Sequence, residues 1–128
     1  MIFVDTSVWV AAFRDSASGE SRVLGGLLDE GLVAVAAPVR LEILMGADSR
    51  QGARLRRVLS AVPLFYPSAA TWDLLEAWVE KAPRQGQRFG FADLLIAAQA
   101  TEQGAALWSL DADFRRMARL GFVDLYAP

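Results

Sequence analysis

Apolar positions along this chain follow two patterns. Short apolar runs occur at Ile2-Phe3-Val4, Leu32-Val33-Ala34-Val35-Ala36, Leu64-Phe65-Tyr66, Ala106-Leu107-Trp108-Ser109-Leu110 and Val123-Asp124-Leu125. Such runs predict short strands, buried on both faces where the apolar run is unbroken. Between them, apolar positions are spaced by three and four, as one face of a helix requires. The first helix covers residues 8–14, behind Asp5-Thr6-Ser7 as a strand end and N-cap. The second spans 20–30, with Val23, Leu24, Leu27 and Leu28 on one face and Gly31 as its stop. Pro38 opens a helix that reaches Gly46. Residues 51–61 form a basic amphipathic helix carrying Arg54, Arg56 and Arg57. Ser68 caps a helix over 69–81, with Trp72, Leu75, Trp78 and Val79 facing inward. The stretch 82–90, holding Pro83, Arg84, Gly86 and Arg88, reads as a loop. An alanine-rich helix covers 91–103 and ends at Gly104. Asp111 starts a last helix that runs through Phe114, Met117 and Leu120 to Gly121.

Strands alternating with helices predict an α/β fold whose mostly parallel sheet is covered on both faces. No repeat, low-complexity tract or linker interrupts the pattern. Residues 1–128 are therefore expected to form a single domain, a usual size for one.

Composition narrows the chemistry sharply. The chain has no histidine and no cysteine. Disulfides, thiol nucleophiles and imidazole acid/base catalysis are excluded, as are zinc sites built on soft ligands. Catalysis must use carboxylates, hydroxyls, arginine, the lone Lys81 or a metal held by oxygen. The net charge is -2, and basic residues number 13, all but Lys81 being arginine. Arginine forks onto phosphate and carboxylate better than lysine does, although a GC-rich genome would produce the same bias. No stretch is long and apolar enough for a membrane span, and MIFVDTS does not resemble a signal peptide. A cytoplasmic location is the expectation.

In a parallel sheet, sites form beyond the carboxyl ends of the strands. Asp5 ends the first strand, Asp111 lies just past the Trp108 strand, and Asp113 is two residues on. Glu42 and Asp93 sit among apolar residues, in Leu41-Glu42-Ile43-Leu44 and Phe91-Ala92-Asp93-Leu94-Leu95-Ile96. Each acid alone has a plain structural use. Asp5 and Asp111 can cap helices, and Glu42 and Asp93 can face solvent. Taken together they describe an oxygen-rich cleft suited to Mg²⁺ or Mn²⁺. Thr6, Ser7 and Ser109 are placed to orient such carboxylates. A cleft of this kind suits metal-assisted hydrolysis of a phosphodiester.

These segments, with Arg40-Leu41-Glu42-Ile43-Leu44-Met45-Gly46, Ala97-Ala98 after Ile96, and Leu107 to Phe114, occur in an order and spacing that resembles a PIN domain, of the VapC type found in bacterial toxin–antitoxin systems. The resemblance covers essentially the whole chain. It implies a three-layer α/β/α sandwich with about five parallel strands. It also implies a Mg²⁺- or Mn²⁺-dependent endoribonuclease acting on RNA. Asp5, Glu42, Asp93 and Asp111 match the family's acidic quartet; Asp113 matches a further acid found in many members. Asp5, Asp93, Asp111 and Asp113 are the expected metal ligands, and Glu42 is a ligand or the residue that orients the attacking water. Thr6, Ser7 and Ser109 match supporting hydroxyls. The family further implies a homodimer and a VapB-like antitoxin that lays a C-terminal segment across the groove.

RNA approaching an acidic cleft needs positive charge at its rim. Arg84, Arg88, Arg115 and Arg116 are the candidates, while Arg40 is placed to pair with an acid. Trp9, Phe13, Trp72, Trp78 and Trp108 read first as core, some of them as lining for a partner. Other readings fit less well. A receiver-like phosphoryl-transfer domain uses a lysine after a later strand, and Lys81 ends a helix instead. A metal-dependent adhesion module needs Asp-x-Ser-x-Ser, and Trp9 breaks that pattern. A catalytically silent PIN-like metal-binding or interaction module is the main alternative.

Overall fold

The computed structural model describes all residues, Met1–Pro128. Its elements in chain order are β1 (Ile2–Val4), α1 (Thr6–Arg14), α2 (Gly19–Asp29), β2 (Val33–Ala36), α3 (Ala37–Gly46), α4 (Ser49–Ser60), β3 (Leu64–Phe65), α5 (Ala69–Arg84), α6 (Phe91–Glu102), β4 (Ala106–Trp108) and α7 (Ala112–Arg119). The strands form one sheet in the order β3-β2-β1-β4, every pair parallel. All four residues of β2 are buried. Successive strand side chains point to opposite faces, so helices must cover both sides. The architecture is the expected α/β/α sandwich.

Strand order decides where a cleft opens. From β1 the chain builds outward through β2 and β3, then returns to add β4 on the other side of β1. The order therefore reverses between β1 and β4, and the helices leaving these two strands part there. In register, Val4 lies beside Trp108. The next residues, Asp5 and Ser109, thus come together at the floor of that crevice.

The core beneath the crevice is built from Phe3, Val4, Trp9, Ile96, Leu107 and Phe114, all nearly inaccessible. Burying a side chain of this size stabilises by about 2–3 kcal/mol. Trp9 satisfies its indole N–H on the Val4 carbonyl at 3.2 Å, so its burial leaves no donor unpaired. Trp78 and Trp108 are buried, as their sequence positions predict. No helix is long and apolar enough to cross a membrane.

Three expectations change. The sheet has four strands, and the fifth run contributes a single parallel bridge, Leu107 to Leu125. Leu107 donates to the Asp124 carbonyl and accepts from the Tyr126 amide, both at 2.9 Å. Beyond this bridge the edge of β4 carries no further strand, and the Tyr126 ring meets Trp108 edge-on.

Helix α5 runs on to Arg84, through Pro83, where the sequence suggested a loop. Proline removes one hydrogen bond in this last turn. Ala82 remains packed in the core, and its carbonyl accepts from the amides of Gln85 and Gln87. Finally, Trp72 and Val79 are exposed, against expectation. The buried stripe of α5 is Thr71, Leu75, Trp78 and Ala82. Trp72 and Val79 each sit one residue beyond a member of it, rotated away by the helical period.

Candidate active site

Asp5 is the residue on which the site is built. It leaves β1 in extended conformation and caps α1. Its side chain is buried, and three groups donate to Oδ2: the Ser7 amide at 3.4 Å, the Ser7 hydroxyl at 2.8 Å and the Ser109 hydroxyl at 2.8 Å. An ionised carboxylate tolerates burial when donors meet it in this way. The network extends upward. The Leu110 amide donates to Ser7 Oγ and the Asp111 amide to Ser109 Oγ, both at 3.0 Å. The serines thus lock the turn after β4 onto the turn after β1. This explains why β4 ends at Trp108, two residues sooner than the apolar run suggests.

That locked turn delivers Asp111. It caps α7, accepting from the Asp113 amide at 2.9 Å, and Asp113 stands in the first turn. Asp93 arrives from the first turn of α6. Ligand atoms of Asp93, Asp111 and Asp113 all lie within 4.8 Å of one another. Glu42 comes from α3, exposed, and accepts from the Thr6 hydroxyl at 2.9 Å. Three of the five acids predicted from sequence therefore meet, and the charges of Asp5 and Glu42 also reach Asp93.

Their mutual repulsion is visible at Asp93. Burial, followed by the charges of Asp111, Asp5, Asp113 and Glu42, raises its pKa from 3.8 to about 6. Three carboxylates this close, with no nitrogen or sulfur donor, fit a hard divalent cation. Asp5 is not one of that triplet, and its Oδ2 is engaged by the serines.

The arginines separate into two groups. Arg88 and Arg115 are exposed and form no ion pair, while Arg84 pairs with Glu80 at 2.9 Å on an open helix face. Arg116 is turned inward to Asp113 and Gln87. Arg40 forms no ion pair, contrary to the pairing its position suggested. Arg54 lies over the Phe13 ring at 5.0 Å.

The sequence offered no sign of Gln87 and Phe89 as neighbours of the site. Both lie in an irregular segment whose partners depend on how α7 packs. Beside Glu42 opens a cavity of about 260 Å³, lined by Trp9, Phe13, Ile43 and Leu55 among others.

A parallel sheet with acids gathered at its switch point defines an α/β domain whose cleft is lined by carboxylates. The PIN domain family model matches residues 2–120, and the chain belongs to that family. Ribonuclease VapC11 of Mycobacterium tuberculosis is 34% identical over 125 residues, covering 94% of this chain and 93% of that protein. The VapBC2 structure from Rickettsia felis, bound to a promoter DNA fragment, superposes with a TM-score of 0.79 at 20% identity, covering 98% of each chain. VapBC-1 of nontypeable Haemophilus influenzae gives 0.78 at 18% identity, over 98% of this chain and 97% of the other.

Proposed function

We propose that this protein is a divalent-metal-dependent endoribonuclease toxin that a VapB-like antitoxin neutralises, a single PIN domain acting in the cytoplasm. One observation carries the reading: carboxylates from α6 and α7 meet within 4.8 Å at the switch point of a PIN fold. Relatives over nearly the whole length are named ribonucleases, which supports the same activity here.

Asp93, Asp111 and Asp113 would hold Mg²⁺ or Mn²⁺, with Asp5 completing the charge from below. Bound there, such a cation supplies Lewis acidity toward a phosphodiester oxygen and acidifies water. The chain's own residues do the rest. Ser7 and Ser109 fix Asp5 so that its orientation costs nothing during reaction. Thr6 holds Glu42 Oε1, leaving Oε2 to orient a water and accept its proton. Arg84, Arg88 and Arg115 supply phosphate contacts at the rim.

The cavity beside Glu42 offers apolar walls to the C-terminal segment of an antitoxin. Exposed Leu41 and Met45 on α3, and Trp72 stacked on Phe91, supply apolar surface for a homodimer. Sedimentation at micromolar protein, with Met45→Lys shifting the distribution toward monomer, checks the dimer.

The decisive test is RNA cleavage by purified protein with Mg²⁺ or Mn²⁺. Wild type is expected to cut, and Asp93→Ala or Asp5→Ala to lose at least a hundredfold in rate. A folded wild type that binds Mn²⁺ without cutting any RNA would favour the silent metal-binding module instead.

A further inference from the structure

Arg116 sits one turn beyond Asp113 on α7, and its guanidinium is held from three sides. Nη2 donates to Asp113 Oδ1 at 2.7 Å. Nη1 donates to Gln87 Oε1 at 2.5 Å. The carbon between them lies 4.6 Å from the centre of the Phe89 ring. That ring in turn meets Phe122 edge-on, and Phe122 stacks on buried Trp78 at 4.5 Å. A continuous packed path therefore joins the core to the Asp113 carboxylate.

An ion pair three residues apart on an open helix contributes little, because water competes and two long side chains must be ordered. This one differs on each count. The Arg116 side chain keeps only 34% of its exposure. Its plane is set by the ring below, and its second nitrogen is tied to another segment. Arginine alone can do this, since a planar fork reaches two acceptors at fixed angles while a lysine ammonium is a single point of charge. Gln87 and Phe89 belong to the segment that leads into α6, whose first turn carries Asp93. Arg116 thus bridges the approach to one acid of the triplet and the carboxylate of another.

We propose that Arg116 is a positioning residue: by clamping Asp113 to Gln87 and Phe89, it sets the spacing between the Asp93 and Asp113 carboxylates and so raises the affinity of this cleft for a divalent cation. The proposal rests on the metal-site reading above and adds to it a residue that touches neither substrate nor cation. Its consequence runs against simple electrostatics. A positive charge beside a ligand repels a cation, so removing Arg116 should tighten binding if charge were all that mattered. Positioning predicts the reverse.

The test is Mn²⁺ binding to the full chain, followed by titration calorimetry and by Mn²⁺ spin resonance, with circular dichroism melts to confirm folding. Arg116→Lys keeps the charge and loses the fork; Gln87→Leu leaves the ion pair and removes its anchor. Each is expected to weaken Mn²⁺ about tenfold. Arg116→Met should also weaken it, despite deleting a positive charge. Arg116→Lys combined with Gln87→Leu should be little worse than either alone, because both break one clamp. Tighter binding by Arg116→Met, or unchanged binding by Arg116→Lys and Gln87→Leu, would overturn the proposal and leave a plain counter-ion. A wild type that binds Mn²⁺ no better than Asp93→Asn would overturn the metal-site reading and this one together. Weakened variants of a wild type that binds Mn²⁺ but cuts no RNA would uphold the clamp and sink the nuclease.

Discussion

Asp93 lives in the tension between burial and charge. Its pKa, raised to about 6, lies above the 3.8 of a free aspartate, so the metal-free folded chain holds a proton that the unfolded chain releases. Stability from this group is complete below about pH 4 and is lost as pH rises toward 6. Denaturant melts in a chelator across pH 4–7 should show that fall, and Asp93→Asn, which cannot ionise, should flatten it. A slope unchanged in Asp93→Asn would place the titration elsewhere. Excess Mn²⁺ should reverse the trend, because a cation favours the ionised carboxylate. Asp5, more deeply buried, is met by two serine hydroxyls and a backbone amide. Which acid is left short of donors follows from where the serines lie.

At the scale of elements, local rules and tertiary packing contend at different places. Gly26 lies in α2 with ordinary helical backbone, and a methyl there would touch nothing within 4 Å. Gly26→Ala should raise stability by about 0.5–1 kcal/mol, through lost freedom in the unfolded chain. Gly104 follows α6 at φ +63° in equally open space. Gly104→Ala should cost about 1–2 kcal/mol, all of it backbone strain. Chemical denaturation of the two variants, shifting in opposite directions, checks both. The segment after α5 shows the opposite balance. Pro83 and Gly86 read as loop, yet burial of Ala82 carries the helix through the proline. Composition cannot foresee this, because the gain comes from residues distant in sequence.

For the whole molecule, the cleft is an electrostatic load that the fold bears for function. Three carboxylates meet and two more press on Asp93 by charge, with Arg116 as the one ion-pair partner among them. A cation that binds only the folded chain must stabilise it. At a hundred times its dissociation constant the gain is about 2.7 kcal/mol, or on the order of 10 °C in melting temperature for a chain of this length. Scanning calorimetry with and without Mn²⁺ should show that rise, and Asp93→Asn should lose most of it. Equal shifts in both proteins would point to cation binding outside the cleft.

Much of this architecture is written in the order of residues. Alternation of short apolar runs with helical stripes is enough to specify parallel strands under two helical layers, since each pattern has one way to bury its apolar face. The absence of histidine and cysteine is likewise decisive, and it leaves oxygen ligands as the chemistry available. The acids at Asp5 and Asp111 are legible because strand ends mark the cleft edge. Other features emerge only in three dimensions. Trp72 and Val79 depend on the rotation of α5 about its axis, which its neighbours set. The fifth run shrinks to one bridge, Leu107 to Leu125, because pairing depends on how the chain after α7 lies along β4. Arg116 looks in sequence like one basic residue among several. Only the meeting of α7 with the segment before α6 turns it from solvent toward Asp113, because three weak contacts from separate parts of the chain must converge on one guanidinium.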